Sequence, residues 1–437
     1  MAEFDLVIRN GTVVTGGDLF TADVGISGGR ISAFAECGKL GSGFREMEAF
    51  GKLILPGGVD SHCHLDQPTG DASEMADDFL SGTVSAACGG TTTVIPFACQ
   101  QKGRPVREAV SEYHRRAEGK AAVDFAFHLI VTDLTREVLD RELPALIRDG
   151  YTSFKIYMTY EPLKLDDRSV LDALCLARRE GAIAMIHAEN SDAISWLTER
   201  LESAGLISPH YHAVSRPAAA EREAIHRIIS FAEIVDVPVL IVHVSGAEGV
   251  EQIRWAQAKG LRIYAETCPQ YLFLTAENLK GEGFDGAKYI FSPPPRGDAD
   301  RWAVWNGLAT GVFQVFSSDH APFRFNDPNG KMVGGADASF TKIPNGIPGI
   351  ETRLPLLFSN GVGTGKIGLT RFVELTAANP ARMYGLYPRK GTIAVGSDAD
   401  IAIWDPAREV TITNSMLHHN MDYTPYEGMT VRGWPET

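Results

Sequence analysis

The sequence predicts an α/β fold, a (β/α)8 TIM barrel joined to a small β-sandwich domain built from both chain ends. Three observations predict it. Eight apolar, β-rich runs alternate with amphipathic helical stretches over roughly 300 residues, the number and span of such a barrel. The runs are continuously apolar, as strands covered on both faces are. Short strands with glycine turns occupy both termini.

In chain order, residues 4 to 55 read as a small β unit. Phe4–Arg9 is strand-like, Asn10-Gly11 is a hairpin signal, and Thr12-Val13-Val14 continues the strand pattern. Ala22–Ile26 and Arg30–Phe34 flank a Gly28-Gly29 turn. From Pro56 the rhythm changes, with a strand that ends in His62-Cys63-His64. The later runs are Thr91–Phe97, Asp124–Ile130, Ser153–Met158, Ile183–His187, Val237–Val244, Arg262–Glu266 and Gln314–Ser318. Between them lie helical segments such as Val106–Ala117, Ser169–Glu180, Ala218–Ile234 and Gly249–Ala258. A doubly wound sheet is the competitor, but no Gly-x-Gly-x-x-Gly follows the first strand. After about Leu386 the β pattern returns in Gly391–Trp404. Residues 1–55 with 386–437 are therefore expected to form one composite β domain, and 56–385 the barrel.

The 437 residues are 44% hydrophobic and 22% charged, with a formal charge of −14. That balance argues against nucleic acid or an anionic membrane as partner, since both need basic surface. A small neutral or weakly charged substrate fits better. The N-terminus shows no signal-peptide pattern, and no apolar run reaches membrane-spanning length. Six cysteines without C-x-x-C spacing suit reduced thiols, so a cytoplasmic protein is expected.

Chemistry gathers at the strand ends. His62 and His64 share one face of their strand while Cys63 turns away. His187, His243 and Asp319 close or follow later runs, and Lys155 lies inside Phe154-Lys155-Ile156. In a barrel these ends converge on one mouth, where imidazoles and a carboxylate can hold metal. A lysine buried there has a lowered pKa, and its neutral amine can react with carbon dioxide. The carbamate so formed could bridge two metals. On spacing alone, a buried lysine paired with an acid is the simpler reading.

The motifs His62-x-His64, Ser153-Phe154-Lys155, His187-Ala188-Glu189-Asn190, Val242-His243-Val244-Ser245 and Ser318–Phe323 resemble the cyclic amidohydrolase family, specifically dihydropyrimidinase and D-hydantoinase. Gly89–Thr93, Ser292–Arg296, Ile343–Gly349 and Gly396–Asp400 extend the resemblance almost over the whole chain. The resemblance implies a binuclear, usually zinc, centre. His62, His64 and Asp319 would hold one ion, His187 and His243 the other, with carboxylated Lys155 bridging. A hydroxide shared by the metals would attack the ring carbonyl of a cyclic amide. Asp319 would carry the proton to the leaving nitrogen, Tyr160 would donate to the oxyanion, and Ser292 and Asn345 would present backbone groups to the ring. The product would be an N-carbamoyl amino acid. Relatives are commonly tetramers, so a homo-oligomer, tetramer or dimer, is implied.

Two departures from the family pattern stand out. Ala321 replaces a cysteine common among relatives, and the chain stops soon after Tyr426-Glu427-Gly428, where relatives carry a further tail. Allantoinase, cyclic-imide hydrolase and dihydroorotase are alternatives on the same scaffold, as is a non-catalytic interaction protein that has lost its ligands. Asp66, in place of the arginine of dihydroorotases, suits an anionic substrate poorly if it faces the site. Substituent and enantiomer preference are expected to depend on the loops Gln67–Met75 and Tyr157–Leu165.

Overall fold

The computed structural model describes residues 2–69 and 72–436, so Gly70 and Asp71 of the Gln67–Met75 loop lie outside the described residues. The chain opens with strands β1 (Phe4–Val14), β2 (Leu19–Ser27), β3 (Arg30–Ala35), β4 (Gly43–Glu48) and β5 (Leu53–Pro56). Asn10-Gly11 is not the expected hairpin. Strand β1 runs through it, and its register against β2 shifts between Ile8 and Gly11. Asn10 takes a φ of 59° and its N–H donates to the Asp23 carboxylate at 3.0 Å, so the pair makes a bulge in a continuous strand. Strand β1 reverses into β2 only at residues 15–18, where the Thr15 N–H donates to Asp18 O at 2.9 Å, and β2 into β3 at Gly28-Gly29, where both residues have positive φ and Ser27 pairs with Arg30.

Ten short strands follow: β6 (Gly58–Asp60), β7 (Thr91–Val94), β8 (Phe97–Cys99), β9 (Asp124–Phe125), β10 (His128–Ile130), β11 (Ser153–Tyr157), β12 (Ile183–His187), β13 (Val239–Ile241), β14 (Ile263–Thr267) and β15 (Val315–Phe316). They form two parallel sheets, ordered β15-β14-β13-β12-β11-β10-β8 and β6-β7-β9. Two of the expected runs are split. Pro96 has no N–H for the ladder, and the run from Thr91 breaks there into β7 and β8. The neighbouring run breaks in step, because β9 pairs with β7 and β10 with β8. His62 and His64 stand just beyond β6 rather than within it. There the Asp319 N–H donates to His62 O at 2.8 Å and the His64 N–H to His320 O at 2.7 Å.

Strands β11, β12 and β13 are buried at every residue, as a sheet covered on both faces requires. The covering helices Val106–Ala117, Asp167–Glu180, Ala218–Val235 and Ala247–Ala258 lie within two residues of the amphipathic segments. The first buries Val106, Val110, Tyr113 and Ala117, a single stripe at helical spacing. None of the described helices is long and apolar enough to cross a membrane.

The chain then returns to its starting sheet. Strand β16 (Ile401–Thr411) pairs antiparallel with β5, and β17 (Thr430–Pro435) with β16. The order is β17-β16-β5-β1-β2-β3, with β4 on β1, so both chain ends share one sheet. Ile8, Val13, Val24, Ile54 and Ile403 give it a core cluster of its own.

Candidate active site

The parallel register decides which side chains meet. Ser153 pairs with Ile183, which sets Tyr157 beside His187 and Lys155 beside Met185, one step deeper. His243 lies two residues past β13, Asp319 three past β15 and Tyr160 three past β11. All stand at the C-terminal edge of the sheets.

There the imidazoles crowd together. Ring centroids of His62 and His64 are 5.5 Å apart, His62 and His243 5.4 Å, His187 and His243 4.4 Å. Asp319 Oδ1 lies 3.1 Å from His62 Nε2 and 3.4 Å from His64 Nε2. His187 Nδ1 and His243 Nε2 face each other at 2.9 Å. Candidate ligand atoms of His62, His243 and Asp319 all fall within 4.8 Å of one another. Above them opens a cavity of about 640 Å³, lined by His64, Lys155, His187, His243 and Asp319 and also by Tyr160, Ser292 and Asn345. His62 is sealed beneath it, fully buried.

Three of the imidazoles are oriented from behind. His62 Nδ1 meets Glu266 Oε1 at 2.6 Å, His64 Nδ1 meets Gln67 Oε1 at 2.7 Å, and His187 Nε2 meets Glu189 Oε2 at 2.8 Å. Glu189 is held in turn by Arg216 at 2.7 Å. A polar group behind each ring fixes its rotation and leaves the other nitrogen aimed inward, the arrangement found behind metal-binding histidines. Burial pushes the pKa of His64, His187 and His243 down, which keeps these rings neutral with lone pairs available. In His62, Glu266 and Asp319 outweigh burial and Lys155, and the pKa rises. Burial would raise the Asp319 carboxyl, but the histidines, His62 first, hold it well below the usual carboxylate range.

Lys155 is buried, with Nζ 4.5 Å from the Phe97 ring centroid and 4.9 Å from that of Tyr157. Burial lowers its pKa to about 8, against the opposing pull of Asp319 and Glu266. Imidazole nitrogens, a carboxylate and a buried, partly neutral amine make a donor set that fits divalent cations. The backbone is strained at the same place. Tyr160, His243 and Asp319 have φ of 66°, 40° and 47°, in the left-handed region. Such conformations cost about 1–2 kcal/mol per residue and cluster where function demands them.

Ser292 Oγ donates to Asn345 Oδ1 at 3.0 Å, joining the two loops expected to face the ring. Ala321 lines the cavity wall, packed so closely on Gly346 that a Cβ there would collide with the Ala321 carbonyl. Asp66 corrects the argument made from it. Its carboxylate turns to Arg116 at 2.7 Å and does not line the cavity, so it says nothing about substrate charge. Sequence reading gave no role to Glu266, Arg216 or Glu189, and placed Gln67 only at the start of a loop expected to set substrate preference. Only Glu189, inside a quoted motif, carried a signal.

The amidohydrolase family model matches residues 53–437. A D-hydantoinase of Ralstonia pickettii is 44% identical over 434 residues, 99% of this chain and 93% of that protein. A D-hydantoinase of Rhizobium radiobacter is equally similar, at 44% identity over the same shares of both chains. Among solved structures, the dihydropyrimidinase from Brevibacillus agri NCHU1002 superposes with a TM-score of 0.95 at 43% identity, covering 98% of this chain and 92% of that one. A parallel α/β core, a histidine-rich pocket at its strand ends and a match running from β5 to the last residue agree: the chain belongs to the amidohydrolase family.

Proposed function

We propose that this enzyme opens cyclic amides by hydrolysis, converting 5,6-dihydropyrimidines and hydantoins to N-carbamoyl amino acids. One observation carries the reading. Four imidazoles, Asp319 and the buried amine of Lys155 converge under a single cavity, in a chain 44% identical to a D-hydantoinase. His62, His64 and Asp319 would hold one zinc ion and His187 with His243 a second, with Lys155, carboxylated by carbon dioxide, between them. Bound there, the two ions supply Lewis acidity at the ring carbonyl and a water ionised near neutral pH.

The chain's own groups do the rest. Asp319, kept anionic by His62 and His64, accepts the proton of the attacking water and returns it to the leaving ring nitrogen. Burial raises the pKa of the Tyr160 phenol, so it stays protonated and donates to the developing oxyanion. Its ring centroid lies 5.4 Å from that of His187, and the residue lines the same cavity. Ser292 and Asn345 line the cavity and offer backbone groups to the amide edge of the ring.

We infer further that the two parallel sheets are arcs of one closed (β/α)8 barrel over 56–385. The backbone bonds from 62–64 to 319–320 support closure. Residues 1–55 with 386–437 would be the composite β domain, and the separate Ile8 cluster supports a sheet curled over its own core as a small sandwich. Six free cysteines support a reducing, cytoplasmic setting. A homo-oligomer, dimer or tetramer, is proposed as the family resemblance implies.

The test is a panel of dihydrouracil, hydantoin, phenylhydantoin, allantoin and succinimide with metal-replete protein. Opening of the first three supports the reading. Preference for allantoin or succinimide moves the substrate to those classes, and inertness on all five overturns it.

A further inference from the structure

We propose that Lys331 is a positioning residue that ties the two substrate loops together, setting Ser292 against Asn345 and strengthening the Asn345 N–H that meets the ring. The inference rests on the ring-opening reading above.

Lys331 is fully buried, and among the described residues no carboxylate pairs with it. A buried amine without a counter-charge is costly, and an apolar side chain would fill the same volume more cheaply. What the amine does is join two backbones. Its Nζ donates to Ile290 O at 2.8 Å and to Pro344 O at 2.6 Å. The first carbonyl lies two residues before Ser292. The second belongs to the peptide whose N–H is that of Asn345.

Two further contacts link these loops, Gly346 N–H to Ile290 O at 3.0 Å and Ser292 Oγ to Asn345 Oδ1 at 3.0 Å. Lys331 spans them from behind the cavity wall. It is itself held in place. Its N–H donates to Arg324 O at 2.8 Å, and a Cβ on the preceding Gly330 would collide with the same carbonyl.

The Pro344 bond has a second effect. Donation to a peptide carbonyl draws electron density from that peptide and makes its N–H a stronger donor, because hydrogen bonds in a chain polarise one another. The N–H so strengthened is that of Asn345, which lines the cavity beside Ser292. Lys331 touches neither ring nor metal ligands, so its removal should weaken ring binding while sparing the metal centre.

The test uses Lys331→Met and Lys331→Gln as metal-loaded proteins, on whichever of dihydrouracil, hydantoin or phenylhydantoin the wild type opens fastest. Glutamine keeps an NH2 donor on a shorter stem but cannot reach both carbonyls. KM is expected to rise about tenfold in Lys331→Met and less in Lys331→Gln, with kcat little changed, since loss of a binding contact shared by ground and transition states moves KM alone. Metal content should equal that of wild type. KM within about twofold of wild type in both variants, or a fall in kcat at unchanged KM, overturns the proposal. Should Lys331→Met not fold, an unchanged KM in Lys331→Gln overturns it by itself. A wild type inert on every ring defeats the ring-opening reading and this inference with it. An active wild type with unchanged variants defeats this inference alone.

Discussion

The Nζ of Lys155 lies 2.8 Å from Nε2 of His62, joining the amine on β11 to an imidazole 93 residues earlier in the chain. No carboxylate among the described residues forms an ion pair with that amine, although Asp319 and Glu266 both act on it from nearby. The simpler alternative for Lys155, a buried lysine paired with an acid, has no direct ion pair behind it, only the pull of these two carboxylates at longer range. An amine held this way can be completed by carbon dioxide, and several expectations depend on it.

Lys155→Ala should remove metal and ring-opening activity together, because the anion between the two sites would be lost. Metal analysis of the purified variant beside a hydantoin assay checks this. Full metal content with full activity would refute the bridging role.

Carboxylation should depend on pH with a definite sign. Burial lowers the Lys155 pKa to about 8, so the reactive neutral amine grows as pH rises. In metal-free protein about one site in a hundred is neutral at pH 6 and about nine in ten at pH 9. Labelled bicarbonate followed by carbon NMR should show carbamate increasing across that range. A signal independent of pH would contradict the account.

Tyr160→Phe should lower kcat by about 10²–10³ while leaving KM and metal content nearly unchanged, since the phenol acts on charge that appears only in the transition state. Steady-state kinetics with metal analysis separate this from a packing defect, which would leave kcat near wild type.

Glu189→Gln should act through two partners at once. Burial opposes ionisation of Glu189, yet Arg216 and His187 hold its pKa down to about 2. Removing the charge leaves buried Arg216 uncompensated, at a cost of about 3–5 kcal/mol. It also replaces the charged acceptor behind His187 with a weaker neutral one, which should weaken metal affinity by up to about 10-fold. Thermal unfolding and metal titration by calorimetry read the two effects separately.

Much of the frame is legible from local patterns. The run Ile183–His187 and the helix Val106–Ala117 occur at the expected residues, because an unbroken apolar stretch and a stripe at helical spacing have few other solutions. Asn10-Gly11 misleads because the same left-handed backbone serves a turn and a bulge. The choice between them is made by pairing on both sides of β1, which the dipeptide does not encode. Pro96 does announce the break between β7 and β8, while the matching break before His128 is inherited from its neighbour across the ladder.

The site divides in the same way. His62, His64, His187, His243 and Asp319 stand out in sequence because each falls at or near the end of a strand-like run. Their supports do not. Glu266 lies 204 residues from His62, and Lys331 joins Ile290 to Pro344 through backbone carbonyls that carry no residue signature. Asp66 shows the opposite error, a charged residue beside a motif that pairs with Arg116 instead of entering the cavity.

The most direct measurement is a zinc titration of chelated protein in bicarbonate buffer, with hydantoin and dihydrouracil opening followed as the metal is added. The account predicts no activity at the start and a rise that saturates at two ions per chain. Undiminished activity in the chelated protein, or a metal-replete protein that opens neither ring, would contradict it.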